Sequence, residues 1–593
     1  MRIISLFLVA TYWTNVFCAE EARAVPTFEY VGLYWKPNGG DSANTCAVSY
    51  RVRGTTVWRE AMPMWFDVAE RTGAVAEHGK EYRGSIVGLA PATTYEIQLK
   101  LEKTGMATTI EAKTWDEVFP VARTVVIAAD TPQPYVITEG GSAATGYVVY
   151  ELAAGKALNG GGSATSNITV NASYVVLRGL TLSNAQRHGI QLGDVQDIVI
   201  DDCDISGWGR TASDCPFGVN LDSAIYSSSK HLERIVVQNT RMHHPRSNSN
   251  SWTESRPHDG RATKHPIGPQ GISFVGGLGR YVIRNNRVWS DDAHKFNDGM
   301  GETNNFSYAG FPNRDSDIYG NHISHAYDDG AEIEGADMNV RVWGNHFSEV
   351  YGSIGAATAS LGPLYIWRNV MTTARKGPGS DADANKGAYL VKLGNEDPAW
   401  GLGSIFIFHN TMVQPPARAG FTGTSGGQHG LLWTSATKRQ NNVTSRNNIF
   451  YVRSATDASI RDTSRNPSNT FDYDLYNGGA TGDGTPESHG IHGLPIFAES
   501  YPETYPLAIN SPGRDAGIRL PNFNDDFTGS APDAGAFEST ASTTLPPATP
   551  STPPTVTPVS ENAGSTCGRG AGLAFLLFST VMLCAVTRKR PRH

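Results

Sequence analysis

At 593 residues, with a formal charge of −8 and a pI near 6.1, the chain is too long for one ordinary core and has no Lys/Arg-rich block in its folded part. That balance argues against nucleic acid as a partner. Six cysteines are too few for a disulfide framework, although Cys203 and Cys215 lie close enough in sequence to leave one bridge open.

The first segment, Met1–Cys18, carries one early cation, Arg2, and then a short apolar stretch. Ala22-Arg23-Ala24 offers a small-residue cleavage site, so residues 1–24 read as a signal peptide cut before Val25. Residues 25–116 read as a separate β-sandwich. Trp35 closes one alternating run, Cys46–Val52 forms another, and Tyr82–Leu89 leads into Leu89-Ala90-Pro91-Ala92-Thr93-Thr94-Tyr95-Glu96-Ile97. This last run resembles the fibronectin type III signature, which implies that Tyr95 makes a corner hydrogen bond to the backbone upstream.

Residues 118–538 carry a repeat. Leu177–Leu182, Ile200–Ile205, Val237–Met242, Ile283–Val288, Ile318–Ile323, Val342–Phe347, Ile366–Met371, Ile407–Met412 and Thr444–Ile449 share one pattern of apolar ends around a fixed central position. That position holds Leu180, Cys203, Thr240, Asn286, Asn321, Asn345, Asn369, Asn410 and Asn447, with smallest spacings of 23, 24 and 24 residues. A period in the low twenties without helical patterning predicts a solenoid of stacked coils, an all-β right-handed parallel β-helix. The six asparagines then form an internal ladder of side-chain amides.

A second repeat places Gly at the start of a short strand, in Gly189-Ile190, Gly218-Val219, Gly271-Ile272, Gly299-Met300, Gly330-Ala331, Gly387-Ala388 and Gly430-Leu431. Alternation along a strand turns Ile190, Leu192, Val219, Leu221, Ile272, Phe274 and Ile333 inward. Gln191, Asn220, Ser273, Glu332, Glu334 and Tyr389 then face outward. Neighbouring coils lie about 4.8 Å apart, which stacks Asp298 on Asp329 beside Glu332 and Glu334. Carboxylates that close cannot all ionise without a cation or a shared proton.

Asp298, Asp329, Glu332, Glu334 and Lys295 are therefore the candidate catalytic residues. His294, Arg314, Tyr389, Asn220 and Lys386 are candidates for holding substrate. One outcome is general acid and base work on a glycosidic bond; another is Ca²⁺ held by Asp298, Asp329 and Glu332, which would assist a lyase using Lys295 or Tyr389 as proton acceptor. His243-His244, His258-Asp259 and His265 fit no zinc spacing and read as a polar loop over the groove.

The solenoid resembles the right-handed β-helix carbohydrate-active enzymes, among them pectate and alginate lyases and polygalacturonases. Asn297-Asp298 and Asp328-Asp329 echo the acidic pairs of the polygalacturonases. The resemblance implies a polysaccharide substrate for a monomeric protein. Hydrolase, Ca²⁺-dependent lyase and non-catalytic carbohydrate-binding or adhesion protein all stay open, with hydrolysis preferred because acids crowd the site.

Residues 539–569 are Ser/Thr/Pro-rich and read as a stalk. Residues 570–587 form an apolar stretch, and the basic residues among 588–593 follow it. That arrangement predicts a membrane anchor with the main body outside, and it resembles bacterial C-terminal sorting signals. The expectation is an exported, surface-tethered protein.

Overall fold

The computed structural model describes residues 22–539, except 129–130, 212–216, 259–260, 304, 375–376, 378–388, 395–399, 415–428, 434–439 and 499–503. The signal segment, stalk, apolar anchor and basic tail lie outside the described residues, as do Cys215, Gly387-Ala388 and the Lys386 expected to hold substrate. Cys203 is a buried free thiol. No helix among the described residues is long and apolar enough to cross a membrane.

Seven antiparallel strands form the first body: β1 Arg23–Pro26, β2 Val31–Trp35, β3 Cys46–Val52, β4 Arg59–Asp67, β5 Glu81–Ile86, β6 Thr94–Leu101 and β7 Ala107–Lys113. Their order is β1-β2-β5-β4-β3-β6-β7. Strand β4 serves both halves, pairing with β3 through its first part and with β5 through Trp65–Asp67. Alternation delivers Val48, Tyr50, Tyr95, Ile97 and Leu99 to the interior with Trp35. The expected corner bond is present: Ala90 N–H donates to the Tyr95 hydroxyl at 2.9 Å.

The rest of the described chain winds through three parallel sheets of twelve strands each, a right-handed parallel β-helix. One sheet runs from Val121–Ile127 to Thr470–Asp472, a second from Leu158–Asn159 to Ile491–His492, and the third from Tyr135–Ile137 to Gly479–Thr481. Inward positions stack coil on coil. Leu177, Ile200, Val237, Ile283, Ile318, Val342, Ile366 and Ile407 form one fully buried file. Burying each such side chain contributes roughly 2 kcal/mol, so the core grows linearly with coil number.

The asparagine ladder turns the corner between the first two sheets. Asn321 Nδ2 donates to Asn345 Oδ1 at 2.9 Å and to the Ile283 carbonyl at 2.8 Å, while its backbone N–H reaches the same Asn345 oxygen at 3.0 Å. Asn286, Asn345, Asn369 and Asn410 repeat this geometry. Every rung is buried and satisfied, as low-dielectric surroundings require.

The last rung differs from the sequence expectation. Asn410 donates to Asn448, not Asn447, and Asn448 in turn donates to Asp474 Oδ1 at 2.9 Å. Ile407 pairs with Ser445 and Met412 with Phe450, so this coil is shifted by one residue from Thr444–Ile449. Asn447 takes a left-handed backbone conformation at φ 59° and holds Ile518 instead. Polar Ser445 stands where an apolar residue was expected, which is why the apolar frame misplaced the rung.

The sandwich docks on the solenoid. The Tyr34 hydroxyl donates to Asp315 at 2.9 Å, Arg83 binds the Leu361 and Gly362 carbonyls, and Arg71 binds that of Ser360. Tyr30 lies edge-on to Tyr319, Trp343 and Trp367. This face lies against the first sheet and leaves the third sheet to form a cleft.

Candidate functional site

The cleft sits on the outer face of the third sheet, where strands Met300–Gly301, Asp329–Glu332, Gly352–Gly355 and Tyr389–Leu393 pair in parallel. Glycine explains the local build. A Cβ on Gly299 would lie 2.5 Å from the Gly330 carbonyl oxygen, and one on Gly330 would lie 2.9 Å from that of Ser353. These bare positions let the coils close up and bring the preceding aspartates, Asp298 and Asp329, to adjacent turns.

Side chains of Asp298, Asp328 and Asp329 each offer an oxygen within 4.8 Å of the others, and Asp329, Glu332 and Glu334 form a second such group. Asp298 accepts from Gln270 Nε2 at 2.8 Å, from Asn297 Nδ2 at 2.6 Å and from the Asp329 N–H at 3.1 Å. Lys392 Nζ sits 2.7 Å from Asp329 Oδ2 and 2.9 Å from Glu334 Oε1. Glu334 also accepts the Ala357 N–H at 3.1 Å. The imidazole of His265 stands 3.6 Å from Asp328. Asn305 donates to Glu332 at 2.9 Å.

Burial raises the pKa of Asp298 well above the usual carboxylate range, and the charges of Asp328 and Asp329 add to the effect. Asp328 is raised in the same way by burial and then by Asp329. Glu332 is raised by burial, Asp298 and Glu334. Asp329 is also raised by burial, but Lys392 opposes the shift. Burial alone would lower Lys392; Asp329 and Glu334 outweigh it and hold the ammonium well above its ordinary value. These groups titrate as one coupled set.

The cleft measures about 610 Å³. Trp252, His265, Tyr351 and Tyr389 line it along with the acids. The Trp252 ring lies 5.1 Å from that of Tyr351, which meets Tyr389 edge-on at 4.7 Å. Asn297 is buried, lines the cleft, and has a carbonyl oxygen with no hydrogen-bond partner.

Of the residues expected from sequence, Asp298, Glu332, Glu334, Tyr389 and Asn220 line the cleft, and Asp329 is buried directly behind them in both carboxyl groups. Three others do not. Lys295 is fully buried away from the cleft lining, its Nζ 4.6 Å over the Tyr327 ring and 3.3 Å from Asp292. His294 lies on the surface, paired with Asp291 at 3.1 Å. Arg314 lies directly before Asp315, the residue that takes the Tyr34 hydroxyl, and donates to the Leu278 carbonyl at 3.2 Å. Charged type and sequence proximity drew these residues in; the coil places them on other faces.

Two register corrections accompany these. Gly218-Val219 opens no strand, because the coil enters the third sheet at Ser223–Ser227, with Ile225 between Ile190 and Ile272. Tyr389 precedes rather than occupies the outward row, which runs Glu332, Gly355, Lys392. Lys392 was the residue missed. Starting the alternation from Val391 as the inward neighbour of Ile354 would have found it. Asp328 was noted only within an acidic pair, and Trp252 and Tyr351 gave no sequence signal beyond being aromatic. His265, read as part of a polar loop, does lie over the groove.

For a cation, the trio Asp298, Asp328 and Asp329 with the Asn297 carbonyl is a chemically suitable oxygen set. The expected combination of Asp298, Asp329 and Glu332 is divided between the two carboxyl groups described above.

A family model described as the right-handed beta helix region matches residues 166–362. The coils are those of a right-handed β-helix. No curated protein matches the chain. Among solved structures, the Family 28 exopolygalacturonase of Yersinia enterocolitica aligns at 11% identity over 77% of this chain and 91% of that one, with a TM-score of 0.25. The catalytic unit of the thermostable GH87 α-1,3-glucanase from Streptomyces thermodiastaticus strain HF3-3 aligns at 11% identity, over 77% and 81%, with a TM-score of 0.27.

Proposed function

We propose that the cleft hydrolyses a glycosidic bond of a polysaccharide, with Asp328 as proton donor and Asp298 and Asp329 as the carboxylates that activate water. The observation that carries this reading is the convergence of three aspartates from two adjacent coils, with their environments set apart. Asp298 accepts three N–H bonds and Asp329 faces the Lys392 ammonium, contacts that favour the ionised form and oppose the rise that burial imposes on both. Asp328 lacks such a set, and burial holds its proton. Pairs of acids with separated environments divide acid from base work. In the step itself the Asp328 proton passes to the bridging oxygen as the C–O bond breaks. Water adds its oxygen to the anomeric carbon and gives its proton to Asp298 or Asp329.

A lyase needs a base that takes a carbon-bound proton. Tyr389 is held protonated by burial and the Asp329 charge, Lys392 is held protonated by its two carboxylates, and Lys295 lies elsewhere. These facts favour hydrolysis over elimination. The reading extends to an exported, monomeric protein tethered through residues 570–587, a part that rests on sequence alone.

The test is incubation with plant, algal and microbial polysaccharides. New reducing ends without unsaturated product support the proposal. Unsaturated product that disappears in EDTA and returns with Ca²⁺ would replace it with a Ca²⁺-assisted lyase. Binding without any product would replace it with a lectin-like role.

A further inference from the structure

The wall of the cleft is one-sided in its chemistry. Among the described lining residues, Asp298, Asp328, Glu302, Glu332 and Glu334 face two groups able to carry positive charge, Lys392 and His265. Lys392 is already committed, bridging Asp329 and Glu334 at 2.7 and 2.9 Å with its side chain only 16% exposed. His265 stands against Asp328. A sugar carboxylate brought here would need a cationic, hydrogen-bonding partner to offset the water it loses. The described wall provides carboxylates instead.

What the wall does offer is acceptors. The buried Asn297 carbonyl oxygen has no partner and lines the cleft. Glu332 is half-buried, with one oxygen held by Asn305. An unpaired buried acceptor is costly, and a ligand hydroxyl or amine satisfies it. Trp252 and Tyr351 add aromatic surface of the kind that covers the apolar face of a sugar ring.

We propose that the cleft takes a carboxylate-free glycan, bound through O–H or N–H donors that meet Asn297 and Glu332, and that it excludes polyuronates. This rests on the hydrolase reading for its catalysis but not for its binding. The donors can come from a neutral hexose polymer or from a polymer of 2-amino sugars, and salt separates the two. Attraction of an ammonium to the acids weakens with ionic strength, whereas neutral hydroxyl contacts hold.

The experiment has two readouts on the full-length protein. Reducing ends are measured on polygalacturonate, alginate, β- and α-glucans, and chitosan; retention of the same polymers by the Asp329→Asn protein is measured in affinity gels at low and high salt. The expected result is cleavage and retention confined to the glucans or chitosan, with Asn297→Ala weakening retention about tenfold. Cleavage or comparable retention of either polyuronate would overturn the proposal, as would retention of none of the polymers. If the wild-type protein cleaves nothing yet retains a glucan or chitosan and not the polyuronates, the catalytic reading falls and the binding inference stands.

Discussion

Lys392 reaches Asp329 diagonally across the sheet, Nζ to Oδ2 at 2.7 Å, because the residue between Glu332 and Lys392 in the outward row is Gly355. A Cβ at Gly355 would lie 2.3 Å from Asp329 Oδ2 and 3.1 Å from Glu334 Oε1. The missing side chain makes the space in which one ammonium neutralises two acids from a coil two turns away. Gly352 does the same on the other side, where a Cβ would meet Asp329 Oδ1 at 2.4 Å and the Tyr389 ring at 2.2 Å.

Lys392→Met should remove the cation and leave Asp329 and Glu334 buried together. Breaking such a pair costs about 3 kcal/mol, and the loss should be largest near neutral pH. In mild acid Asp329, whose pKa burial raises, takes up a proton and the cost shrinks. Urea unfolding at pH 7 and pH 4 measures the difference; an equal loss at both would show that the charge is not the cause. Gly355→Ala, which keeps the lysine, should also depress turnover by displacing Asp329.

Asp328→Asn, Asp298→Asn and Asp329→Asn keep the side-chain shapes and should each lower kcat at least a hundredfold, the scale of a general acid or base, with little change in Tm for Asp328→Asn, which breaks no ion pair with Lys392. Because burial and Asp329 raise the Asp328 pKa, its proton is retained past the ordinary carboxylate range. The rate should then fall on the alkaline side as that proton is lost. A pH–rate profile on any cleaved polymer checks this, and Asp328→Asn should abolish the alkaline limb together with the activity.

Asn345→Leu should break the ladder at its middle. It strands the Asn321 N–H groups and the Ile318 carbonyl, and leaves the Asn369 oxygen with only the backbone N–H of residue 345. At roughly 1–3 kcal/mol for each buried group left unsatisfied, a loss of about 3 kcal/mol or more is expected. Hydrogen exchange should accelerate first in the two flanking coils, at Asn321 and Asn369.

The ladder closes on Asp474, whose N–H donates to Glu487 at 3.0 Å. Burial and the Asp474 charge lift Glu487 to about 10, and burial lifts Asp474 to about 6. Both folded values exceed the unfolded ones, so the folded state holds protons that the unfolded chain releases. Their stabilisation is complete in acid below the unfolded carboxylate range and declines as pH climbs toward 10. Thermal unfolding followed from pH 5 to pH 9 should show Tm falling, and Glu487→Gln should flatten that slope.

The later coils were legible because each, from Asn286 on, contributes one buried amide at one corner, an expensive group that few positions tolerate. The stacked acids followed from strand alternation. The failures share a cause: alternation only assigns faces once the first residue of a strand is known. Ser445 hid the last rung, Asp222-Ser223 hid the true strand after Gly218, and Lys392 lay past residues 378–388. Lys295 and Arg314 carry the right charge on the wrong faces, and nothing in their neighbours reveals the turn that takes them there.

Each rung of the ladder donates toward the following coil and accepts from the preceding one, so the column has a direction and unlike ends but identical joints between its rungs. A coil ending in Asn can therefore be added or removed between two others while every amide keeps a partner. Asp298, Asp328, Asp329 and Lys392 have no such freedom, since their meeting depends on one fixed sequence of strands with Gly355 between the last two. Groove length is thus a property that insertion or deletion of coils can change on either side of the acids, whereas the acids themselves pin one stretch of the spool in place.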